Sequence, residues 1–89
     1  MTEDIRQGDF VQLDKPGAKT VGLVYRVEDG QALTWWHDGD SPVGRAITNQ
    51  DKRPISDLKI VSESVFIPQS MRVLREENFP RTTFRVRRS

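Results

Sequence analysis

Turn-forming residues interrupt the first sixty residues of the chain at short intervals. Glycine- or proline-bearing turns are predicted at 7–9 (QGD), 15–17 (KPG), 28–30 (EDG) and 37–42 (HDGDSP). Glycine supplies the positive φ that such turns need, and proline presets φ at the first turn position. The runs between them are rich in β-formers and offer no good helix. The spacing predicts a set of short strands.

The β-forming runs define the predicted strands. DFVQL alternates, with Val11 and Leu13 on one face and the other side chains opposite. TVGLVYRV follows, with Val21, Leu23, Tyr25 and Val27 on one face unless a bulge at Gly22 lets Val24 turn inward. Asp-Gly at 29–30 predicts a hairpin into QALTWWH. A fourth strand is expected within 43–48 (VGRAIT).

PISDLKIV, residues 54–61, is interpreted as a short helical turn leading into a last strand. Its apolar anchors are Ile55, Leu58 and Ile60. Short strands with closely spaced turns predict a mainly β chain with a small five-stranded barrel over 1–61, because closure removes exposed sheet edges. An interior this narrow fills with side chains and leaves no deep cavity for a small-molecule substrate.

Residues 62–89 have a different pattern and are predicted to form a helix–strand extension. Pro68 suits the first turn of a helix, and Asn78 and Pro80 would end it. TTFRVRR alternates apolar and basic side chains, which predicts a strand with one basic face. The sequence leaves open whether this extension packs on the barrel or on a partner.

Charge is distributed unevenly along the chain. Residues 1–70 carry eight basic and eleven acidic side chains, whereas residues 71–89 carry six arginines and two glutamates. A basic C-terminus of this kind favours an acidic partner or nucleic acid, although a solvated end of the chain would give the same pattern.

The segment GDFVQLDKPGAKTVGLVYRVEDGQALTWW resembles the opening of small SH3-like barrels of the KOW and Tudor kind. It has their Gly-Asp turn, apolar-x-apolar strand and Gly-x-Val strand, and PISDLKIV is similar to their helical turn and closing strand. The resemblance covers 6–61 and implies an SH3-like barrel that binds nucleic acid, peptides or larger complexes without catalysis. Small accessory subunits of photosynthetic electron-transfer complexes look similar. The aromatic cage of Tudor domains has no clear match, so recognition of methylated side chains is not implied.

His37 is the candidate for catalysis, with Asp38 or Asp40 as the carboxylate that would orient it. Catalysis would also need a nucleophile or metal and a concave pocket, and a chain without cysteine has no thiolate for either role. Asp-Gly-Asp-Ser-Pro is ordinary turn chemistry. We therefore interpret this stretch as a strand end and turn, and we expect no enzyme activity, metal or cofactor.

Trp35 and Trp36 are adjacent on a predicted strand and must point to opposite faces. With Leu33 and Trp35 facing inward, Trp36 would face outward beside Thr34 as a binding anchor. The alternative is that the extension covers Trp36 through an aromatic side chain, either Phe79 or Phe84.

These observations predict a non-enzymatic adaptor or accessory subunit that binds a protein partner or larger complex. An acidic balance in the barrel argues against a nucleic-acid face there, so a KOW-like nucleic-acid-binding domain is the alternative. The chain has no predicted membrane span, and its expected location is the cytoplasm. The predicted partner-binding residues are Trp36, Tyr25, Phe10, Arg81, Arg85, Arg87 and Arg88.

Overall fold

The computed structural model describes residues 4–37 and 49–87. The chain is mainly β, with one five-stranded antiparallel sheet and one C-terminal helix. The strands are β1 (Phe10–Leu13), β2 (Gly22–Glu28), β3 (Gln31–Trp36), β4 (Asn49–Pro54) and β5 (Leu58–Ile60). A 3-10 helix (Ile55–Asp57) joins β4 to β5, and the helix α1 spans Gln69–Asn78.

The strands lie in the order β4-β3-β2-β1-β5, so β4 and β5 are at opposite edges of the sheet. Only the three residues of the 3-10 helix separate these strands in sequence. In a flat sheet the two edges would be about 19 Å apart, whereas the four Cα–Cα steps from Pro54 to Leu58 reach at most about 15 Å. The sheet is therefore strongly curled. β4 and β5 do not pair with each other within the described residues.

The hairpin between β2 and β3 forms as the Asp-Gly pair predicts. Asp29 and Gly30 have φ values of 51° and 73°, and both central residues of a type I′ turn need positive φ. The predicted bulge lies elsewhere, because the register shifts between Val24 and Arg26 instead of at Gly22. Tyr25 is the extra residue of this bulge.

Residues paired across the strands divide the sheet into two faces. Val11, Gly22 and Trp36 are in register on one face. That face holds the inner cluster of buried residues: Ile5, Val11, Val24, Ala32, Trp36 and Leu58. The opposite face holds the outer cluster: Phe10, Val21, Leu23, Val61, Ile67 and Met71. The alternation predicted for β1 is confirmed, since Val11 and Phe10 lie in different clusters.

The C-terminal extension packs on the outer face. Ile67 and Met71 are buried there, and Leu74 packs against the same cluster. The helix begins after Pro68 and ends at Asn78, as predicted. The predicted strand in TTFRVRR is wrong: within the described residues this segment makes one parallel bridge, Ser62↔Arg87. The side chains of Phe84 and Arg85 contact Phe10 and Asp9, whereas the backbone of the segment forms its bridge at Arg87.

The run predicted as the fourth strand, 43–48, lies outside the described residues. The structure forms β4 directly after it, at Asn49–Pro54, with six residues in register with β3. Its sequence, NQDKRP, has no apolar alternation. Nothing in a local pattern identifies such a strand, because its formation depends on backbone pairing with β3.

Candidate functional site

Trp36 is buried, so its predicted exposure is wrong. Its side chain is 6% exposed and lies in the inner cluster. The indole Nε1–H donates a hydrogen bond of 2.9 Å to Asp51 Oδ1 on β4. The other oxygen of Asp51 accepts a 2.7 Å bond from Arg53 Nε. This partner satisfies the indole, so Trp36 can be part of the core.

Gly22 explains how the Trp36 ring fits on the inner face. A Cβ at Gly22 would lie 2.8 Å from Cε3 of Trp36 and 2.5 Å from Cγ2 of Thr34. Such distances are far below van der Waals contact, so the ring lies where a side chain on β2 would otherwise be. The extension does not provide this cover, which also excludes the alternative that Phe79 or Phe84 buries Trp36.

Trp35 faces the outer side of the sheet and is half-buried. Its ring stacks on Tyr25, with centroids 4.5 Å apart and an interplanar angle of 18°. The bulge in β2 gives this arrangement, because it leaves Tyr25 without a partner on β3 and places it beside Arg26. Bulges often re-aim side chains next to binding sites. On the strands of the sheet, the Tyr25–Trp35 pair is therefore a half-exposed aromatic group.

Cross-strand neighbours extend this pair into a mixed surface. Leu33 is in register with Arg26 on one side and with Lys52 on the other, while Gln50 lies opposite Trp35. Glu28 forms ion pairs with Arg26 at 3.2 Å and with Lys52 at 3.6 Å. We call this region the aromatic surface; its residues are Tyr25, Arg26, Glu28, Leu33, Trp35, Gln50 and Lys52.

Phe10 is also buried, so it is not the exposed contact residue that the sequence predicts. Only 1% of it is exposed, and its ring meets Phe84 edge-on at a centroid distance of 5.7 Å. The guanidinium groups of Arg72 and Arg75 lie 5.7 Å and 5.3 Å from the centroid of Phe84. Phe84 from the extension therefore covers Phe10.

Arg85 binds within the chain. Its Nε donates to Asp9 Oδ1 at 3.1 Å, and its Nη2 donates to Asp9 Oδ2 and to the carbonyl of Asp4. Asp9 is 2% exposed, and its carboxylate also accepts a bond from the backbone N–H of Arg6. A two-pronged arginine contact to a buried carboxylate is among the stronger polar contacts in proteins.

Arg75 is a second internal arginine, and the sequence analysis did not identify it. It is buried, and it donates to the carbonyl oxygens of Gly8 (Nε, 2.8 Å) and Thr82 (Nη2, 2.7 Å). No ion pair involves it within the described residues. Its position on the same helical face as Met71 is a signal that the sequence contained, since residues four apart share a face.

The three remaining arginines that the sequence predicts as partner-binding residues are Arg81, Arg87 and Arg88. Arg81 and Arg87 are exposed, and the backbone of Arg87 forms the bridge beside Ser62. Arg88 lies outside the described residues. The structure therefore does not bring the predicted set together: Tyr25 is on the aromatic surface, while Arg85 is bound to Asp9.

His37 is half-buried, and its backbone N–H donates to the carbonyl of Val21 at 2.9 Å. Asp38 and Asp40, its predicted partners, lie outside the described residues. Within residues 4–37 and 49–87, no three His, Asp or Glu side chains are grouped closely enough to hold a metal ion. No helix in this part of the chain is long and apolar enough to span a membrane.

Comparison of the chain with protein-family models, with curated proteins and with solved structures finds no match.

Proposed function

We propose that the chain is a non-enzymatic binding module, an adaptor or accessory subunit, which contacts a protein partner through its aromatic surface. The observation that carries this proposal is the half-exposed Tyr25–Trp35 stack at a β-bulge. Aromatic side chains with arginine beside them are the usual composition of protein contact sites. Arg26 and Lys52 are the cations of this surface. The exposed Arg81 and Arg87 add positive charge at the C-terminal end of the chain, which a partner with acidic groups would match.

The charges on the aromatic surface favour a protein over nucleic acid. Stacked rings beside Arg26 and Lys52 would suit the bases and phosphates of a single strand. Glu28, however, lies between these two cations and pairs with both. A carboxylate there repels phosphate, whereas a protein surface with both signs of charge can match it.

The proposed architecture is a small SH3-like barrel with the extension on its outside. The curled sheet, the strand order and the 3-10 helix before β5 support it. In this arrangement the inner cluster is the barrel interior, and the aromatic surface lies on the barrel wall. Distances measured in solution that hold the edges of β4 and β5 as far apart along both strands as in a flat sheet, about 19 Å, would contradict the barrel.

The test is affinity capture from the native host with variants of the full chain. Trp35→Ala and Tyr25→Ala should each reduce recovery of the partner at least about tenfold, as expected for anchors of a binding site. Phe66→Ala is the matched control, because Phe66 is 81% exposed and is not part of the aromatic surface. Equal recovery with all three variants would contradict the proposal.

Nuclease treatment of the captured material separates the two partner classes. Recovery that survives nuclease and changes little with salt supports a protein partner. Loss on nuclease treatment, together with a steep salt dependence of binding to RNA or DNA, would instead identify the KOW-like alternative.

A further inference from the structure

The residues after α1 make a turn at 79–82 and then contact the sheet without regular secondary structure. We call residues 79–87 the tail. Within it the structure has no helix or strand, only the bridge at Arg87. Its middle residues, 80–84, are exposed. The tail is therefore held by a few specific contacts and not by continuous burial.

The first contact is aromatic. Phe84 places its ring edge-on against the buried Phe10, and two guanidinium groups of α1 flank it, from Arg72 and Arg75. Phe84 itself is 40% exposed. Phe84 therefore contacts the sheet with one side of its ring and is not a core residue.

The second contact is ionic. Asp9 is buried, and the guanidinium of Arg85 binds both of its carboxylate oxygens. The free energy of a buried carboxylate rises steeply when its cation leaves. The position therefore selects for an arginine, whose planar fork matches both oxygens.

The third set of contacts involves backbone groups of the tail. The N–H of Arg87 donates to the carbonyl of Val61 at 2.8 Å, and the N–H of Glu63 donates to the carbonyl of Arg87 at 3.2 Å. Arg75 donates to the carbonyl of Thr82. Backbone pairing at one end, an aromatic anchor and an arginine in an acidic site are features by which proteins bind extended peptides.

We propose that this tail-binding site, formed by Asp9, Phe10, Val61 and Glu63, recognises a protein segment in which an aromatic residue directly precedes arginine. The tail, with Phe84 and Arg85, occupies the site in cis as a releasable ligand. The occupant expected in trans is a segment with the same aromatic-arginine pair, because it would have to replace both the cation at Asp9 and the ring that covers Phe10. The proposal does not depend on the aromatic surface.

A labelled peptide of residues 79–89 tests this by fluorescence anisotropy with the full chain. In the wild-type chain the tethered tail competes at an effective concentration of about millimolar, so added peptide binds poorly. In the double variant Phe84→Ala, Arg85→Ala the site is vacated, and the same peptide should bind at least about tenfold more tightly. Arg81→Ala is the matched control: it removes an exposed arginine from the same tail and should bind peptide as the wild type does.

Specificity is tested with two further changes. Asp9→Asn in the double variant should abolish the gain, and a peptide carrying Arg85→Ala should bind no variant. Equal binding of the peptide to wild type and double variant, or a gain that survives Asp9→Asn, would overturn the proposal.

A second measurement does not depend on the variants folding. Unlabelled peptide added in large excess to isotope-labelled wild-type chain should displace the tail. The NMR signals of the Arg85 side chain and the Arg87 amide should then move toward those of a free peptide, while the amides of β2 and β3 remain in place. Unchanged signals at saturating peptide would show that the tail is a fixed part of the fold and would overturn the proposal.

Discussion

The two faces of the sheet are completed in different ways. The inner cluster consists of strand residues together with Ile5 near the N-terminus, and all of its members precede residue 59. The outer cluster also needs Val61, Ile67 and Met71 from the region after β5. The sheet can therefore bury one face with its own residues, whereas the other face depends on the C-terminal extension.

Polar contacts follow the same division. On the inner side, Asp51 accepts the indole N–H of Trp36 from a neighbouring strand. On the outer side, Arg75 and Arg85 connect the extension to the turn at Gly8 and Asp9, more than sixty residues away in sequence. Segments near a chain end that are held by few buried contacts often open before the rest of the fold. The outer side is thus the part of the molecule in which partner binding and release are expected.

The largest predicted effect separates the two tryptophans. Trp36→Ala removes a buried ring from the inner cluster and should lower the free energy of unfolding by about 3–5 kcal/mol. Trp35→Ala removes a half-buried ring and should cost clearly less. Chemical denaturation of both variants measures the difference. Equal losses in the free energy of unfolding would contradict the claim that Trp36 is a core residue and Trp35 a surface residue.

The second effect tests the contact of Trp36 with Gly22. Gly22→Ala introduces a methyl group that would overlap the Trp36 ring, with an expected loss of about 1–3 kcal/mol. In a Trp36→Leu background the overlap with the ring is absent and the loss should fall. A double-mutant cycle measures this coupling. Strictly additive losses would mean that the ring does not lie over Gly22.

The third effect concerns the outer side. Arg85→Ala leaves the carboxylate of Asp9 buried without its cation, and we expect a loss of about 1–2 kcal/mol, reduced because Arg85 is partly exposed to solvent. Hydrogen exchange should increase in α1 while the amides of β2 and β3 keep their protection. Arg81→Ala, the control in the same tail, should change stability by less than about 0.5 kcal/mol. If hydrogen exchange increased as much in β2 and β3 as in α1, the claim that the two faces of the sheet are buried independently would be contradicted.

How much of this could be predicted from the sequence depends on the range of the interactions. The hairpin at Asp29-Gly30, the limits of α1 and the alternation of Phe10 with Val11 are set by residues close in sequence, and all three are confirmed. The alternation of side chains in β3 predicts that Trp35 and Trp36 lie on opposite faces, but it does not predict which of the two faces the interior. That choice depends on Gly22 and Asp51, which meet Trp36 only in the folded sheet.

The same reasoning explains the other differences. β4 has no apolar pattern because its inner-facing Asp51 bonds to Trp36 and its outer side chains lie on the aromatic surface. The tail has a strand-like pattern, yet Arg85 is directed to Asp9 by a contact that no local pattern contains. Arginine content at a C-terminus does not distinguish an internal ion pair from an external contact.

The smallest predicted effect belongs to the aromatic surface. Glu28→Gln removes two exposed ion pairs, and the free energy of unfolding should change by no more than about 0.5 kcal/mol. Partner binding should change by more than stability does, because the surface loses its carboxylate. A stability loss as large as that of Gly22→Ala would show that this region is structural and not a contact surface.

Single-tryptophan variants test the division of the two faces most directly. Trp35→Phe leaves Trp36 as the fluorophore, and Trp36→Phe leaves Trp35. We predict that Trp36 emits at shorter wavelength and is weakly quenched by acrylamide, whereas Trp35 emits at longer wavelength and is quenched more strongly. Weaker quenching of Trp35 than of Trp36 in the folded chain would contradict the assignment of Trp36 to the core and Trp35 to the binding surface.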